Sequence, residues 1–235
     1  MPDFSQRSTQ PELMDDPDAP EKELWQNLRE LEVINKYLGG YRVVLEGLNK
    51  LDLPKEISVM DLGSGGGDTL RAIADWMNKQ QRTARLTGID YNPVMTAYAT
   101  QHSKYYPAIT FRTLDIFDEA LTAEEADVVT CSLFCHHFTH DSLVKLIRRM
   151  QELCTEAVVI NDLHRHWFAY YSIKMITGIC SKTYMVKHDA ALSVARAFTR
   201  KDWEQVMRDA GISQYELTWK WAFRWLLIIP KKQTG

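Results

Sequence analysis

A glycine-rich run between two carboxylates is the first feature of the sequence that could bind a ligand. Residues 61–68 read DLGSGGGD and follow the apolar stretch 57–60. Glycines after a buried strand let the backbone approach a ligand closely. No lysine or arginine lies between positions 57 and 70, and Asp68 stands where the third glycine of G-x-G-x-x-G would be. The run therefore favours a ligand with an ammonium group over the pyrophosphate of a dinucleotide.

Two further carboxylates follow the next two apolar runs. Asp90 ends the stretch 86–90 (LTGID), a position from which a carboxylate accepts hydrogen bonds from ribose hydroxyls. Asp115 follows the stretch 109–111 and is placed to accept from an exocyclic amine. Taken in order, the glycine run, GID at 88–90 and LD at 114–115 resemble motifs I, II and III of the class I S-adenosylmethionine-dependent methyltransferases. The resemblance covers residues 45–230.

This resemblance implies which residues hold S-adenosylmethionine. Asp61 would meet the ammonium group of the methionine moiety, directly or through water, and Asp90 would hold the ribose hydroxyls. The glycine run would supply backbone contacts, and residues near the other two motifs would surround the adenine. The implied cofactor-binding set is Asp61, Gly63, Ser64, Gly65, Gly67, Asp90, Tyr91, Asp115, Ile116 and Cys131.

Five of the seven histidines follow the fourth and fifth apolar runs. Residues 131–140 read CSLFCHHFTH, and residues 160–166 read INDLHRH. Because neighbouring parallel strands end at the same edge of a sheet, we expect both segments near the cofactor. A histidine, with a pKa of about 6.5, can remove the proton of a phenol or enol. The predicted catalytic residues are His164, the preferred base, His137, and Asp162, which orients the base or contacts the substrate.

A zinc site is the alternative interpretation of this region. Its candidate ligands are Cys131, Cys135, His136, His137 and His140. The cysteines are not spaced as C-x₂-C, so we predict no metal. His137 is open to a second alternative, that of a loop residue packed against the cofactor or a lid. Residues 131–134 also lack the Asn/Asp-Pro-Pro-Tyr/Phe pattern of enzymes that methylate adenine or glutamine, which disfavours a nucleobase acceptor.

The elements that must position these residues alternate along the chain. Strand-like runs at 57–60, 86–89, 109–111, 127–130 and 157–160 are separated by helical patterns. This alternation predicts an α/β fold with a Rossmann-like, seven-stranded, mostly parallel sheet and helices on both faces. Two closing runs, 212–219 and 223–229, are only a few residues apart and predict an antiparallel pair at the sheet edge, with the last strand antiparallel.

Five segments organise the chain. Residues 1–20, with four prolines and four aspartates, predict a flexible arm, and residues 21–53 predict an N-terminal helical cap. Residues 54–163 form the S-adenosylmethionine-binding core, and residues 199–235 complete it with the last helix and the strand pair. The insertion 164–198 is rich in aromatic residues and methionine, which suits a helical lid over an apolar acceptor. A dimer interface, a membrane-surface helix and extra core are its alternatives.

The composition of the chain narrows the classes of molecule that it is expected to bind. The 235 residues include 28 basic and 31 acidic ones, a net charge of −3, which offers no electrostatic footprint for nucleic acid or an anionic membrane. No uninterrupted apolar run reaches the roughly 18 residues of a membrane span, and the N-terminus lacks a signal-peptide pattern. We predict a cytoplasmic protein with a small, apolar, aromatic acceptor and a possible homodimer through the insertion.

The predicted function is methyl transfer from S-adenosylmethionine to an oxygen, or less readily a carbon, of an apolar aromatic or polyketide-like small molecule. Residues 7–17 and 194–199 also resemble, more weakly, bacterial methyltransferases that accompany polyketide, phenolic-lipid or quinone synthesis. Two alternatives stay open. One is an S-adenosylmethionine-binding module without catalysis, and the other is a nicotinamide-dependent oxidoreductase, against which Asp68 argues.

Overall fold

One mixed sheet forms the centre of the computed structural model, which describes residues 3–231. Its strands are β1 (Glu56–Leu62), β2 (Thr83–Asp90), β3 (Ile109–Thr113), β4 (Ala126–Ser132), β5 (Cys154–Leu163), β6 (Glu216–Lys220) and β7 (Arg224–Pro230). Their order across the sheet is β3-β2-β1-β4-β5-β7-β6. Strands β1 to β5 are parallel, and β7 is antiparallel to both of its neighbours. The predicted seven-stranded α/β fold is confirmed.

Within the described residues 3–231, eight α-helices surround the sheet. They are α1 (Glu21–Tyr37), α2 (Gly40–Asn49), α3 (Asp68–Lys79), α4 (Pro93–His102), α5 (His140–Leu153), α6 (Trp167–Cys180), α7 (Tyr184–Arg196) and α8 (Arg200–Ala210). Side chains of β5 alternate between the two faces, as the two-residue period of a strand requires. Val158 and Ile160 pack with residues of α5 and α8, whereas Val159 packs with residues of α2 and α3. Helices therefore cover both faces, as predicted.

The strand order places a crevice at the end of β1. From β1 the chain builds β2 and β3 on one side and then returns to build β4 on the other. Where the order reverses in this way, the connections leave in opposite directions and open a ligand-binding crevice at the carboxyl ends of the strands. The glycine run at 63–67, which joins β1 to α3, lies at this point.

The first of the two closing strands begins later than predicted. Residues 212–219 were expected as strand, but β6 begins at Glu216. The reason is the end of α8, where Gly211 is left-handed with a φ of 75° and the Ile212 N–H donates to the Met207 carbonyl at 2.9 Å. Ile212 therefore caps the helix. A capping box formed by Thr199 and Asp202 begins α8.

Residues 3–20 pack against the protein instead of forming the flexible arm that the sequence predicts for 1–20; positions 1 and 2 lie outside the described residues. The Ser8 N–H donates to the Ala195 carbonyl at 3.0 Å. The backbone N–H groups of Leu13 and Met14 donate to the Asp189 carboxylate of α7 at 2.9 and 3.0 Å. These contacts satisfy backbone groups that a free arm would leave to water. We call residues 3–20 the arm below.

The insertion 164–198 forms α6 and α7, which pack against each other and against α1. Ala169 and Ile173 of α6 meet Ala190 and Val194 of α7, with Ile34 of α1 beside them. The opposite side of α6 carries exposed Trp167, Tyr171, Met175 and Ile179. Across residues 3–231, the helices are all too short or too polar to span a membrane.

Candidate active site

A cavity of about 720 Å³ opens at the crevice beside β1. Its wall is built by the glycine run, the ends of β2 and β4, the arm, and helices α1, α6 and α7. The size falls within the roughly 300–1,000 Å³ of small-molecule pockets. The core, the N-terminal cap and the insertion thus all contribute residues to one chamber.

Asp61 is buried at the end of β1 and lines the cavity. Its Oδ1 accepts a hydrogen bond from Thr130 Oγ1 at 2.7 Å. Burial raises the pKa of Asp61 to about 7; nearby Asp68 and Asp90 add to the rise, and the Thr130 hydrogen bond opposes it. Among residues 3–231, no cation forms an ion pair with this carboxylate. A buried carboxylate of this kind suits the ammonium group of S-adenosylmethionine.

The glycine run has the conformation that its residue types allow. Gly63, Gly65 and Gly67 have φ values of 67°, 49° and 72°, in the left-handed region. A Cβ at Gly63 would overlap the ring of Phe134. Ser64 is buried on the cavity wall, and its Oγ has no hydrogen-bond partner within the described part of the chain. The run therefore offers close backbone approach and one free hydroxyl, which fits the implied cofactor.

The residues implied at the ribose and adenine ends also lie on the cavity wall. Asp90 accepts hydrogen bonds from the N–H groups of Gly65 and Asn92 at 2.8 and 2.9 Å, and burial raises its pKa. Tyr91 is exposed at the cavity mouth, and Ile116 is buried. Asp115 accepts from the Phe117 N–H at 2.8 Å. Eight of the ten implied cofactor residues lie on the cavity wall. Gly67 is not on the wall but belongs to the same glycine run, whereas Cys131 belongs to neither.

Cys131 is the exception among the implied cofactor residues. It is fully buried in the core with its Sγ 3.5 Å from Cys135 Sγ, and it is not among the residues of the cavity wall. The two-residue period of β4 explains this placement, since Ser132, the next residue, lines the cavity. The Cys131 side chain therefore faces the core, and its implied role in cofactor binding stays a prediction.

His136 is held in a buried charge network. Its Nδ1 lies 2.8 Å from Asp162 Oδ1, and its Nε2 lies 3.4 Å from Glu12 Oε1. Burial alone would lower the pKa of His136, but these two carboxylates raise it to about 10. Asp162, predicted as catalytic, is fully buried, and the cavity wall does not include it. Its observed contact is thus with His136 and not with an acceptor.

His137 is the member of the predicted catalytic set that lines the cavity. Its Nδ1 lies 2.9 Å from Asp15 Oδ2, and its Nε2 lies 4.0 Å from Glu12 Oε2. A carboxylate on one ring nitrogen fixes the orientation of the ring and leaves the other nitrogen for chemistry. Glu12, His136 and His137, all on the cavity wall, are called the polar corner below.

His164, the preferred base, lies elsewhere. Its ring packs against Phe223 and Trp225, and its Nδ1 accepts a hydrogen bond from Trp219 Nε1 at 3.1 Å. Burial, together with the nearby charges of His166 and Arg165, lowers its pKa to about 4. The cavity wall includes Leu163 but not His164. The structure does not bring this ring to the cavity, because the chain turns after β5 and the ring packs at the sheet edge; its role as the base stays a prediction.

The five candidate ligands of the alternative zinc site are likewise not brought together. Cys131 and Cys135 point into the core, whereas His140 Nε2 lies 2.8 Å from Asp209 on the surface. Only His136 and His137 of the five candidates share a site. The buried residues Glu12 and Arg224 complete the cavity and were missed as site residues by sequence reasoning.

The sequence does carry a signal for Arg224, because a charged residue inside an apolar strand run is unusual. Its Nη2 donates to Asn35 Oδ1 at 3.2 Å, while its Nε and Nη1 have no hydrogen-bond partner in residues 3–231. Burial lowers its pKa to about 10, so it stays charged at neutral pH. Arg224 can hold a carboxylate at this end of the cavity. Glu12 has no comparable signal, since it is distant in sequence from every motif.

Comparison with known proteins agrees with this geometry. Residues 59–157 match the family described as a methyltransferase domain. No curated protein sequence matches the chain. Many solved structures share the fold, and all those compared below have less than a fifth of their residues in common with it.

Three of these structures illustrate the likeness. Human N-acetylserotonin methyltransferase, in complex with S-adenosylmethionine, has a TM-score of 0.66 at 16% identity over 91% of this chain and 57% of its own. The CurJ carbon methyltransferase has a TM-score of 0.58 at 15% identity over 81% of this chain and 52% of its own. Magnesium protoporphyrin IX methyltransferase from Synechocystis PCC 6803, with bound S-adenosylmethionine, has a TM-score of 0.52 at 18% identity over 81% and 77%.

The chain thus spans little more than half the length of the first two of these proteins. Its domain match and its fold together support a class I S-adenosylmethionine-dependent methyltransferase domain with S-adenosylmethionine as the cofactor. The resemblance found in the sequence is confirmed. The nicotinamide-dependent alternative finds no support in the domain match or in these three structures.

Proposed function

We propose that the protein transfers a methyl group from S-adenosylmethionine to an oxygen of a small, apolar, aromatic or polyketide-like molecule. One observation carries this proposal: the cofactor residues, a set of apolar residues and the polar corner share the wall of one cavity. The apolar wall comes from α1, α6 and the segment after β6, with Ile34, Leu38, Ile173, Ile176 and Phe223. Such a wall suits an aromatic or aliphatic skeleton.

The polar corner supports oxygen as the methyl acceptor. S-adenosylmethionine, when bound, supplies an electrophilic methyl group. A phenol or enol must lose its proton to become a good nucleophile, and an imidazole fixed by a carboxylate is a suitable place for that proton. His137, held by Asp15, offers such an imidazole on the cavity wall.

The proposal includes partners and location. We place the protein in the cytoplasm, since all four of its cysteines are free, and we propose no nucleic-acid partner.

We also propose a homodimer through α6, whose exposed Trp167, Tyr171, Met175 and Ile179 recur every four residues and form one apolar stripe. Sedimentation should give a dimer that Met175→Glu with Ile179→Glu dissociates. Tyr105→Glu, at an exposed aromatic on another face, is the control.

Turnover with a panel of acceptors tests the reaction. The protein would be incubated with S-adenosylmethionine and phenols, hydroxyquinones and 1,3-diketones, and products would be detected by mass spectrometry and located by NMR. We expect O-methyl products, and we expect His137→Ala to reduce turnover by about 10²–10⁴-fold with S-adenosylhomocysteine affinity retained. His140→Ala, which removes an exposed histidine, is the matched control.

Two outcomes would contradict the proposal. Methyl groups found only on carbon would reject oxygen as the acceptor. S-adenosylhomocysteine binding without turnover of any compound class would favour the alternative of a binding module without catalysis.

A further inference from the structure

Three side chains of metal-ligand type converge at the polar corner. Glu12 comes from the arm, and His136 and His137 come from the turn after β4. One potential ligand atom from each lies within 4.8 Å of the other two. Glu12 and His136 are almost fully buried, and all three residues line the cavity. The corner therefore has the size of a mononuclear metal site with one side open to the chamber.

Both imidazole rings are held by an aspartate through the same ring nitrogen, Nδ1. His136 binds Asp162 through Nδ1 at 2.8 Å, and His137 binds Asp15 through Nδ1 at 2.9 Å. Both rings then present Nε2 to Glu12, at 3.4 and 4.0 Å from its two carboxylate oxygens. Metal-binding histidines are commonly held by a carboxylate on the nitrogen that does not bind the metal. A simple buried ion pair would need only one histidine facing Glu12, not two histidines that both present Nε2 to it.

We propose that Glu12, His136 and His137 bind a divalent transition-metal ion, with His136 Nε2 and His137 Nε2 as the nitrogen ligands. Two imidazoles and one carboxylate suit zinc, cobalt or iron(II) better than magnesium or calcium, which prefer oxygen ligands. Three protein ligands leave a coordination position open toward the cavity, as in catalytic zinc sites.

The open position suggests what the ion does. An ion there would bind the hydroxyl oxygen of the acceptor and lower its pKa, the role that a Lewis acid has in metal-assisted catalysis, and the proton would leave to water. With its Nε2 on the ion, His137 would then act as a metal ligand and not as the base. This role rests on the proposed function, whereas metal binding itself does not. The sequence predicts no metal because its ligands were sought near the cysteines, and Glu12 lies more than a hundred residues before His136.

Cobalt titration tests the site. Untagged protein would be treated with a chelator, dialysed, and titrated with Co²⁺ while the visible absorption of the ion is followed. We expect one equivalent to bind with the intense visible bands of a low-coordinate site. Glu12→Gln and His137→Ala should abolish these bands. Asp15→Asn, at a half-exposed residue that only orients His137, should weaken affinity about 10–100-fold with little risk to folding.

His140→Ala is the matched control, because His140 is also paired with an aspartate but lies on the surface, outside the corner. It should bind cobalt as the wild type does. The metal site would be overturned if the wild type bound no stoichiometric cobalt. It would also be overturned if Glu12→Gln and Asp15→Asn both bound cobalt with the affinity of the wild type. Circular dichroism of each variant shows whether it is folded.

Turnover separates this inference from the proposed function. If the metal-free protein methylates an acceptor as fast as the cobalt-loaded protein, the role of the ion in transfer is overturned and the proposed function stands. If cobalt binds as described but neither form methylates any acceptor, the metal site stands and the proposed function fails.

Discussion

Asp61 and Thr130 meet across the two central strands, with Thr130 Oγ1 donating to Asp61 Oδ1 at 2.7 Å. Both residues are buried, and β1 and β4 pair in register at this level. One neutral hydroxyl is a weak partner for a buried carboxylate, which is why the pKa of Asp61 rises to about 7. The site is thus arranged for a cation that arrives with the ligand.

Cofactor binding should therefore depend on pH. As pH rises through about 7, Asp61 loses its proton and gains attraction for the ligand's ammonium group, so we expect S-adenosylhomocysteine affinity to increase. Asp61→Asn should weaken binding roughly 10–100-fold, in line with a lost charged hydrogen bond of about 1.5–3 kcal/mol, and should flatten the pH profile. Calorimetric titration at several pH values measures both effects.

The stability of the ligand-free protein should show the opposite trend. Because the folded state raises the pKa of Asp61 from 3.8, it holds a proton that the unfolded chain has already lost between about pH 4 and 7. Stability from this group is therefore greatest below about pH 4 and falls as pH rises to 7. Asp61→Asn should make the ligand-free protein at least as stable at pH 7. A strongly destabilised variant would contradict the raised pKa.

Gly63 should tolerate alanine much less well than Gly211. Both residues are left-handed, with φ values of 67° and 75°, so each substitution carries a similar backbone cost of about 1 kcal/mol. A methyl group at Gly63 would also overlap the Phe134 ring, whereas at Gly211 it would meet no described heavy atom within 4 Å. We expect Gly63→Ala to lose further stability and cofactor affinity. Urea unfolding that gives equal losses would show that Phe134 moves aside freely.

Asp162 and Asp209 offer a matched pair of aspartate–histidine contacts, both 2.8 Å long. Asp162 and His136 are buried, so Asp162→Ala should cost about 3 kcal/mol, at the lower end for a broken buried pair because Glu12 still faces His136. Asp209 and His140 are exposed, so Asp209→Ala should cost no more than about 1 kcal/mol. Denaturant unfolding compares the two. Similar losses would mean that burial does not set the strength of the Asp162 pair.

His164→Ala tests whether His164 is the base that the sequence predicts or a packing residue outside the cavity, as its position in the structure indicates. The ring accepts the Trp219 N–H and packs between aromatic residues outside the cavity. We expect the variant to keep its S-adenosylhomocysteine affinity and to change turnover less than about 3-fold, compared with the 10²–10⁴-fold typical of a lost general base. Steady-state rates with any acceptor found in the panel give the measurement. A loss of the larger size would restore His164 as the base.

The sheet and the cofactor loop could be predicted because their signals are local. Each apolar run has a fixed period, and the glycines and carboxylates near Asp61 and Asp90 follow strands directly. Even so, Cys131 shows the limit of this reasoning. A one-residue step along a strand decides between core and cavity, and the sequence alone does not fix which of Cys131 and Ser132 faces which side.

The polar corner could not be predicted for a different reason. It joins His136 and His137 to Glu12 of an arm whose proline and aspartate content predicts disorder. Long-range contacts of this kind depend on where the arm packs, and composition carries no information on that. His164 was misplaced because a strand end fixes the position of the backbone, whereas the direction of a ring beyond the strand depends on its packing partners.

The packing of the arm leads to a last expectation, centred on Arg7. Its Nε donates to the Arg196 carbonyl at 2.7 Å, its Nη2 donates to the carbonyls of His136 and Phe138 at 3.0 Å, and its guanidinium lies 4.2 Å from the centre of the Phe198 ring. Arg7→Met keeps the apolar stem but loses these donors. Since the carbonyl groups would be left without them, we expect a loss of about 1–3 kcal/mol and faster proteolysis within the arm.

Arg200→Met is the control for this experiment, because Arg200 also lies over an aromatic ring, that of Trp225 at 5.2 Å, but makes a single 3.3 Å contact with the Leu217 carbonyl from an exposed position. It should unfold like the wild type and resist proteolysis equally. Because Glu12 and Asp15 reach the cavity only through the packed arm, Arg7→Met should also lower turnover with any acceptor found in the panel. Wild-type arm cleavage as fast as that of Arg7→Met would instead support the flexible arm that the sequence predicts.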